Sequence, residues 1–255
     1  MRVKVISDLH GAVEHIPEAS RDADVLVVLG DLINVLDYRN MEGILVDVFG
    51  KEPVAEAATL RARGHFRAAR ETLRKHAGDE EEVRTRFVEA ARKEYERVFE
   101  YLPEDSIVTY GNADSPDLLR ALIPPGVRFA DGDVFELAGL RWGIVGGGMR
   151  TPLNIPGEVT EEEHTAKLSS LGAVDVVGTH PPPRIPWFCY DTVARKFEPG
   201  STALIAYVQE HQPQFALFGH VHQPLVSQGV IRDTKLINVG HFQADGRGWE
   251  YEGPD

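Results

Sequence analysis

Cysteine is almost absent from this sequence. Among 255 residues only Cys189 carries a thiol, so no internal disulfide can form. Long apolar runs are missing as well: none approaches the roughly 20 residues that a membrane helix needs, and no membrane partner is expected. The opening MRVKVISDLHG lacks the apolar core of a secretory leader and runs straight into a strand-like segment. Basic charge is in short supply, with 27 Lys and Arg against 40 Asp and Glu and a formal net charge of −13. A sequence-independent hold on nucleic-acid backbone would have to come from a local basic patch against an unfavourable global field, so nucleic acid is disfavoured as a partner. These absences describe a soluble protein of a reducing compartment, which we expect to be the cytoplasm. What remains is ordinary globular material, 42% hydrophobic and 26% charged, with enough chain for a sizeable core.

Short β-branched runs recur, and each ends in a polar cluster: VKVIS before DLHG, DVLVVL before GDLIN, SIVTY before GNAD, RWGIV before GGG, VDVVG before THPPP, FALF before GHVHQ. Runs this apolar suit strands buried on both faces, and helical patterns at 160–171 and 201–211 lie between several of them, which gives an α/β or layered α-β-β-α protein. The pieces PLVSQG, VIRDT and KLINVG read as a β-meander. Residues 53–102 differ. Val83, Phe87, Ala91, Tyr95, Val98 and Leu102 recur at steps of three and four, the pattern of an amphipathic helix from about 79 to 101. TLRARGHFRAARETLRKHAGD ahead of it reads as a helical hairpin bent near Gly64, whose GHFRAA piece resembles half a tetratricopeptide repeat without forming an array. The expectation is one domain over 1–255 with a helical insertion at about 40–102, whose charge is mostly a solvated face. His65 and His76 fall there as surface residues, and the apolar stripe offers a route to an oligomer.

The chemistry collects at strand ends. Asp8, His10, Asp31, Asn112, His180, His220 and His222 all occupy the position just past a strand, where open α/β sheets gather their ligands. Singly, each has an ordinary alternative as a cap, turn or surface residue. Together they make a set of hard or borderline N and O donors. In DxH and HxH the donors stand two residues apart, so on extended backbone both leave from one side and can grip one ion. Asp31 has two oxygens and can bridge two cations, while Asn112 adds a neutral carbonyl oxygen. Two ions about 3.5–4 Å apart form the arrangement that activates water and clamps an in-line phosphoryl displacement. Imidazole with carboxylate suits Mn, Fe, Zn, Co or Ni better than Ca.

DLH at 8–10, GD at 30–31, GN at 111–112, TH at 179–180 and GHVH at 219–222 occur in this order, and the set resembles the calcineurin-like metallophosphoesterases. The resemblance spans 3–240 apart from the insertion. It implies an α/β fold in which a β-sandwich is flanked by helices, four layers deep. It implies that Asp8, His10, Asp31 and His222 hold one divalent metal ion, and Asp31, Asn112, His180 and His220 a second, with Asp31 as the bridge. Mn is the favoured ion. The implied activity is hydrolysis of small phosphodiesters or activated phosphomonoesters by a metal-bridging hydroxide. On this reading Gly111 lets the strand end turn so that the Asn112 carbonyl faces an ion.

One motif departs from the family. Where most members follow the Asn with a His and an acidic residue, this chain has Ala113 and Asp114. A missing general acid is expected to cost on the order of 10²–10⁴ in rate for a poor leaving group and little for one that departs as an anion. His241 in NVGHF is the first candidate to replace it, against an equal prospect of simple packing. Arg150, after three glycines, could grip two phosphate oxygens, or the glycines could only close a loop. Asn34 and Tyr38, a few residues past Asp31, could face substrate. Trp187 and Tyr190 could wall the pocket or pack as core. Two further readings are a metallophosphoesterase fold kept as a binding module, with the insertion as partner surface, and a nuclease, which the acidity disfavours.

Overall fold

A computed structural model describes residues 1–254, so Asp255 lies outside the described residues. Two sheets form its centre. The first runs, in spatial order, Trp249–Glu252, Arg2–Ile6, Val25–Val28, Ile107–Val108 and Arg128–Phe129. The second runs Gln228–Ile231, Thr234–Asn238, Phe215–Phe218, Val176–Thr179, Leu140–Val145 and Asp133–Leu137. Inner neighbours are parallel, and antiparallel pairs stand at the edges.

The period of two in the strands explains why the sheets stack. Val3, Val5, Val25 and Val27 point between the sheets, where they meet Trp142, Ile144, Val176, Leu217 and Ile237. Their alternates Ile6, Leu26 and Val28 face the opposite way, into a core shared with Ala91, Tyr95 and Val98 of the helix Glu80–Tyr101. On the far side of the second sheet Val177, Ala216 and Phe218 pack on Leu168, Leu204 and Val208 of the helices Glu161–Leu171 and Thr202–His211. Helix, sheet, sheet, helix is therefore the layer order, and near-continuous apolar strands are what burial on both faces requires.

Between Val25–Val28 and Ile107–Val108 the chain passes through helices Ile44–Phe49, Lys51–Ala62, Phe66–Ala77 and Glu80–Tyr101. The long helix begins where its chemistry says: the Asp79 side chain accepts from the amides of Glu81 and Glu82, with three acidic residues in the first turn. The hairpin ahead of it turns at 63–65, beside Gly64. One expectation changes: the meander is a two-stranded hairpin, Gln228–Ile231 on Thr234–Asn238, because PLVSQG forms no strand of its own and Thr234–Asn238 pairs parallel to Phe215–Phe218 instead. Among the described residues no helix is long and apolar enough to cross a membrane.

Candidate metal centre

Six loops leave the carboxyl ends of parallel strands at one end of the sandwich. Asp8 and His10 follow Ile6, Asp31 follows Val28, Asn112 follows Val108, His180 follows Thr179, His220 and His222 follow Phe218, and His241 follows Asn238. The motif glycines allow these loops to crowd. A Cβ on Gly30 would strike the Gly111 backbone, and one on Gly111 would strike Asp31 Oδ1 and His180. Gly111 is thus present for close approach, and its φ lies outside the positive region. The DxH geometry differs from the expectation. Asp8 (φ 59°) and His10 (φ 42°) lie in the left-handed region, not on extended backbone, as do Asp31 (φ 54°) and His220 (φ 68°). Such conformations cost non-glycine residues on the order of 1 kcal/mol or more each, and they gather where function over-determines the backbone.

The side chains form overlapping donor groups. Atoms of Asp31, His180 and His220 lie within 4.8 Å of one another, as do those of His10, His222 and His241, and those of Asp8, His10 and Asp31. Asp31 Oδ2 stands 3.5 Å from His180 Nε2 and 3.7 Å from His10 Nε2, so one oxygen faces both histidine sets. Asn112 Oδ1 is 3.1 Å from His180 Nε2. His222 Nε2 lies 3.4 Å from Asp8 Oδ1 and 3.2 Å from His10 Nε2. His180 Nδ1 donates to the Leu29 carbonyl at 2.9 Å, which fixes its ring and turns Nε2 to the cluster, the usual setting of a metal-binding imidazole.

The electrostatics suit a cation. Burial holds His10 below its ordinary pKa and pushes His220 down to about 4, leaving neutral rings with free lone pairs. Burial opposes the charge on His180, but the neighbouring Asp31 carboxylate raises it above its ordinary value. Burial likewise opposes ionisation of Asp8, yet its hydrogen bond and charge interaction with His222 keep it below the carboxylate range. Asp8 Oδ1 and His220 Nε2 are buried without a hydrogen-bond partner among the described residues. An unsatisfied buried group of this kind costs about 1–3 kcal/mol, more when charged, and a divalent ion held by this donor set removes the deficit. The residues fit the metals.

A second layer holds the loops, and of its members the sequence reading had singled out only Asp114, as the acid that follows Ala113. Asp114 Oδ2 accepts from the amides of Asp31 and Gly111, both at 2.8 Å, and Oδ1 accepts from Leu32 N at 3.1 Å. Burial and the Asp31 charge raise the Asp114 carboxyl above its ordinary range. Asn238 Nδ2 donates to the carbonyls of Gly219 (3.4 Å) and Val221 (3.0 Å), which frames His220. Asp191 does the same beyond His222, accepting from Gln223 N at 3.2 Å. Arg97 of the long helix donates to the Gly11 carbonyl, next to His10, at 2.6 Å. An Asn that ends a strand at 238, two residues before Gly240, is the other local signal for this layer.

The other expected site residues fall in different places. Arg150 is exposed, and its guanidinium makes no hydrogen bond or ion pair among the described residues; its charge is felt at Glu163. The glycines before it do more than close a loop. Gly148 backs onto Asn112 and pairs with Glu158 in a short ribbon. Asn34 is half-buried, with Cβ close to Gly11. Tyr38 and Trp187 are exposed, and Tyr190 is half-buried against Phe197 with ring centroids 5.0 Å apart. The Ala113 amide donates to Asp31 Oδ1 at 2.8 Å. His241 is buried, its ring stacked on His222 with centroids 3.7 Å apart. Its Nε2 pairs with Gln243 Oε1 at 3.2 Å, which assigns the proton there, while Nδ1 has no partner. Burial, with His222 beside it, pushes His241 down to about 4. A separate cleft of about 320 Å³, lined by Arg2, Lys4, His15, Asp22 and Arg247, carries both signs of charge and none of these donors.

Comparison with known proteins bears on the fold and the family. The protein TT1561 of Thermus thermophilus shares the fold at 11% identity, over 95% of this chain and 90% of its own, with a TM-score of 0.54. Looser matches are a Streptococcus pneumoniae TIGR4 protein described as a predicted phosphoesterase (14% identity, 94% and 71% coverage, TM-score 0.31) and the purple acid phosphatase PPD1 of yellow lupin, Lupinus luteus (13%, 100% and 46%, TM-score 0.43). No curated protein sequence matches. The family model for calcineurin-like phosphoesterases matches residues 1–224, and the chain belongs to this family of metal-dependent hydrolases of phosphate esters.

Proposed function

We propose that the chain is a two-metal phosphoesterase for small phosphodiesters or activated phosphomonoesters, formed as one domain with residues 40–102 inserted. The observation that carries the reading is the single Asp31 oxygen facing His10 on one side and His180 on the other. Asp8, His10, Asp31 and His222 hold one ion, and Asp31, Asn112, His180 and His220 the other. Mn²⁺ is taken as the favoured occupant within the set Mn, Fe, Zn, Co and Ni that imidazole with carboxylate suits. When bound, the ions supply an activated water and neutralise charge on the phosphoryl oxygens.

The chain's own residues then do the rest. Asp31 and Asn112 fix the spacing of the two donor groups, and the Ala113 amide holds Asp31 from behind. Asn34, beside Gly11, and Arg150, at the rim past Gly148, orient the phosphate from two sides. His241, whose pKa of about 4 leaves it neutral at neutral pH with its one proton on Nε2 toward Gln243, has no extra proton to give the leaving oxygen. Ala113 supplies no acid either, so leaving groups that depart as anions are favoured.

Hydrolysis of bis-(p-nitrophenyl) phosphate beside p-nitrophenyl phosphate tests the proposal, using metal-stripped protein reloaded with Mn²⁺ and an Asn112→Ala control. Turnover of the diester that the control loses supports it. Two bound ions with no turnover of either ester would replace it with a binding role.

A further inference from the structure

Tyr95 is a fully buried tyrosine in the middle of the long insertion helix, and its ring packs in the core behind the first sheet. A buried hydroxyl is costly unless it is bonded, and a phenylalanine would fill the same space without the risk. This hydroxyl is used twice. It donates to Asp114 Oδ1 at 3.1 Å and accepts from Ser115 N at 2.8 Å. Asp114 is the carboxylate on which the site turns, because its other donors are the amides of Asp31, Leu32 and Gly111. Those three belong to the two loops that present Asp31 and Asn112. The fourth comes from outside them, from a helix of the insertion.

We infer that Tyr95 is a positioning residue for the metal centre: through Asp114 it sets the spacing of Asp31 and Asn112, and the insertion thereby contributes to metal affinity. The inference rests on the two-metal reading above. Asp31 sits in left-handed backbone, so its loop needs outside support to hold that shape. Without the hydroxyl, Asp114 Oδ1 keeps one good donor and Ser115 N loses its acceptor. The carboxylate is then free to rotate, and the two loops it ties can drift apart. Arg97, two residues along the same helix, holds the Gly11 carbonyl, so the helix supports both sides of the cluster.

The test is Mn²⁺ titration calorimetry on metal-stripped Tyr95→Phe, with Tyr207→Phe as the control. Tyr207 is also buried, but its hydroxyl donates to the Gly172 carbonyl, away from the site. Loss of a partner behind a metal ligand typically weakens affinity 10–100-fold. Tyr95→Phe is expected to raise the Mn²⁺ Kd about tenfold, most at the ion held by Asn112, while Tyr207→Phe leaves it unchanged. Urea unfolding of the stripped proteins accompanies the titration, and both variants are expected to lose similar stability. A purely structural Tyr95 would lower stability and leave Kd within twofold of the parent, which overturns the inference. A parent chain that binds no Mn²⁺ defeats the two-metal reading itself, and the two failures are thereby told apart.

Discussion

The two donor groups at the end of the sandwich differ in how firmly they are held. In the group of Asp31, His180 and His220, the His180 side chain is 0% exposed and its Nδ1 is anchored on the Leu29 carbonyl. In the group of His10, His222 and His241, the His222 side chain is 33% exposed, and His10 and His222 face each other's ring nitrogens without a backbone anchor on either ring among the described residues. One group is dry and pre-set, the other wetter and adaptable. A pre-set site spends no ordering entropy when an ion arrives, so the first group is expected to bind tighter and the second to exchange its ion more readily.

The largest effect should come from removing what the groups share. Asp31→Asn is expected to weaken both ions and lower diester turnover by more than the 10–100-fold typical of losing an outer partner; equal affinity for one ion would show that Asp31 serves a single group. Next, His180→Asn and His222→Asn should separate the groups. Under Mn²⁺ titration, His180→Asn is expected to lose one ion outright, while His222→Asn weakens the other by less than tenfold. The reverse order would break the comparison. Third, saturation should stabilise the fold: at about 100 times Kd each Mn²⁺ adds about 2.7 kcal/mol, seen as a rise of several degrees in Tm that EDTA abolishes.

The smallest effect uses a buried histidine outside both groups. His164 shares a hydrogen bond with Ser201 Oγ at 2.8 Å, and burial pushes its pKa from 6.5 down to about 4. The native state therefore refuses a proton that the unfolded chain takes below pH 6.5, and stability falls as pH drops from 6.5 toward 4. By pH 5 the loss from this residue is about 2 kcal/mol. Urea unfolding at pH 5 and 7 should show a pH slope shallower by that amount in His164→Gln.

Much of the site was legible because each donor sits in a short motif at a strand end, and a run such as VLVV announces a strand without tertiary help. The long helix was equally plain from its stripe. What escaped was whatever depends on partners distant in the chain. The spacing of DLH suggested extended backbone, yet the crowding of six loops forces Asp8 and His10 into left-handed turns. The stripe marked Tyr95 as buried, but nothing local says that its hydroxyl meets a carboxylate in the next loop. The glycines before Arg150 read as one run, yet only Gly148 lets backbone touch Asn112, while Gly146 lies against Tyr110 and Gly147 against Val159. The insertion read as a partner surface is also, through Tyr95 and Arg97, in direct contact with the loops that carry the donors.

The central claim is a dinuclear centre joined by Asp31, and the most direct measurement is the number of Mn²⁺ ions bound per chain, by calorimetry on metal-stripped protein with Asp31→Asn alongside. The account predicts two ions for the parent, the tighter one disappearing in His180→Asn, and weakened binding of both in Asp31→Asn. One ion or none in the parent, or two undiminished ions in Asp31→Asn, would contradict it.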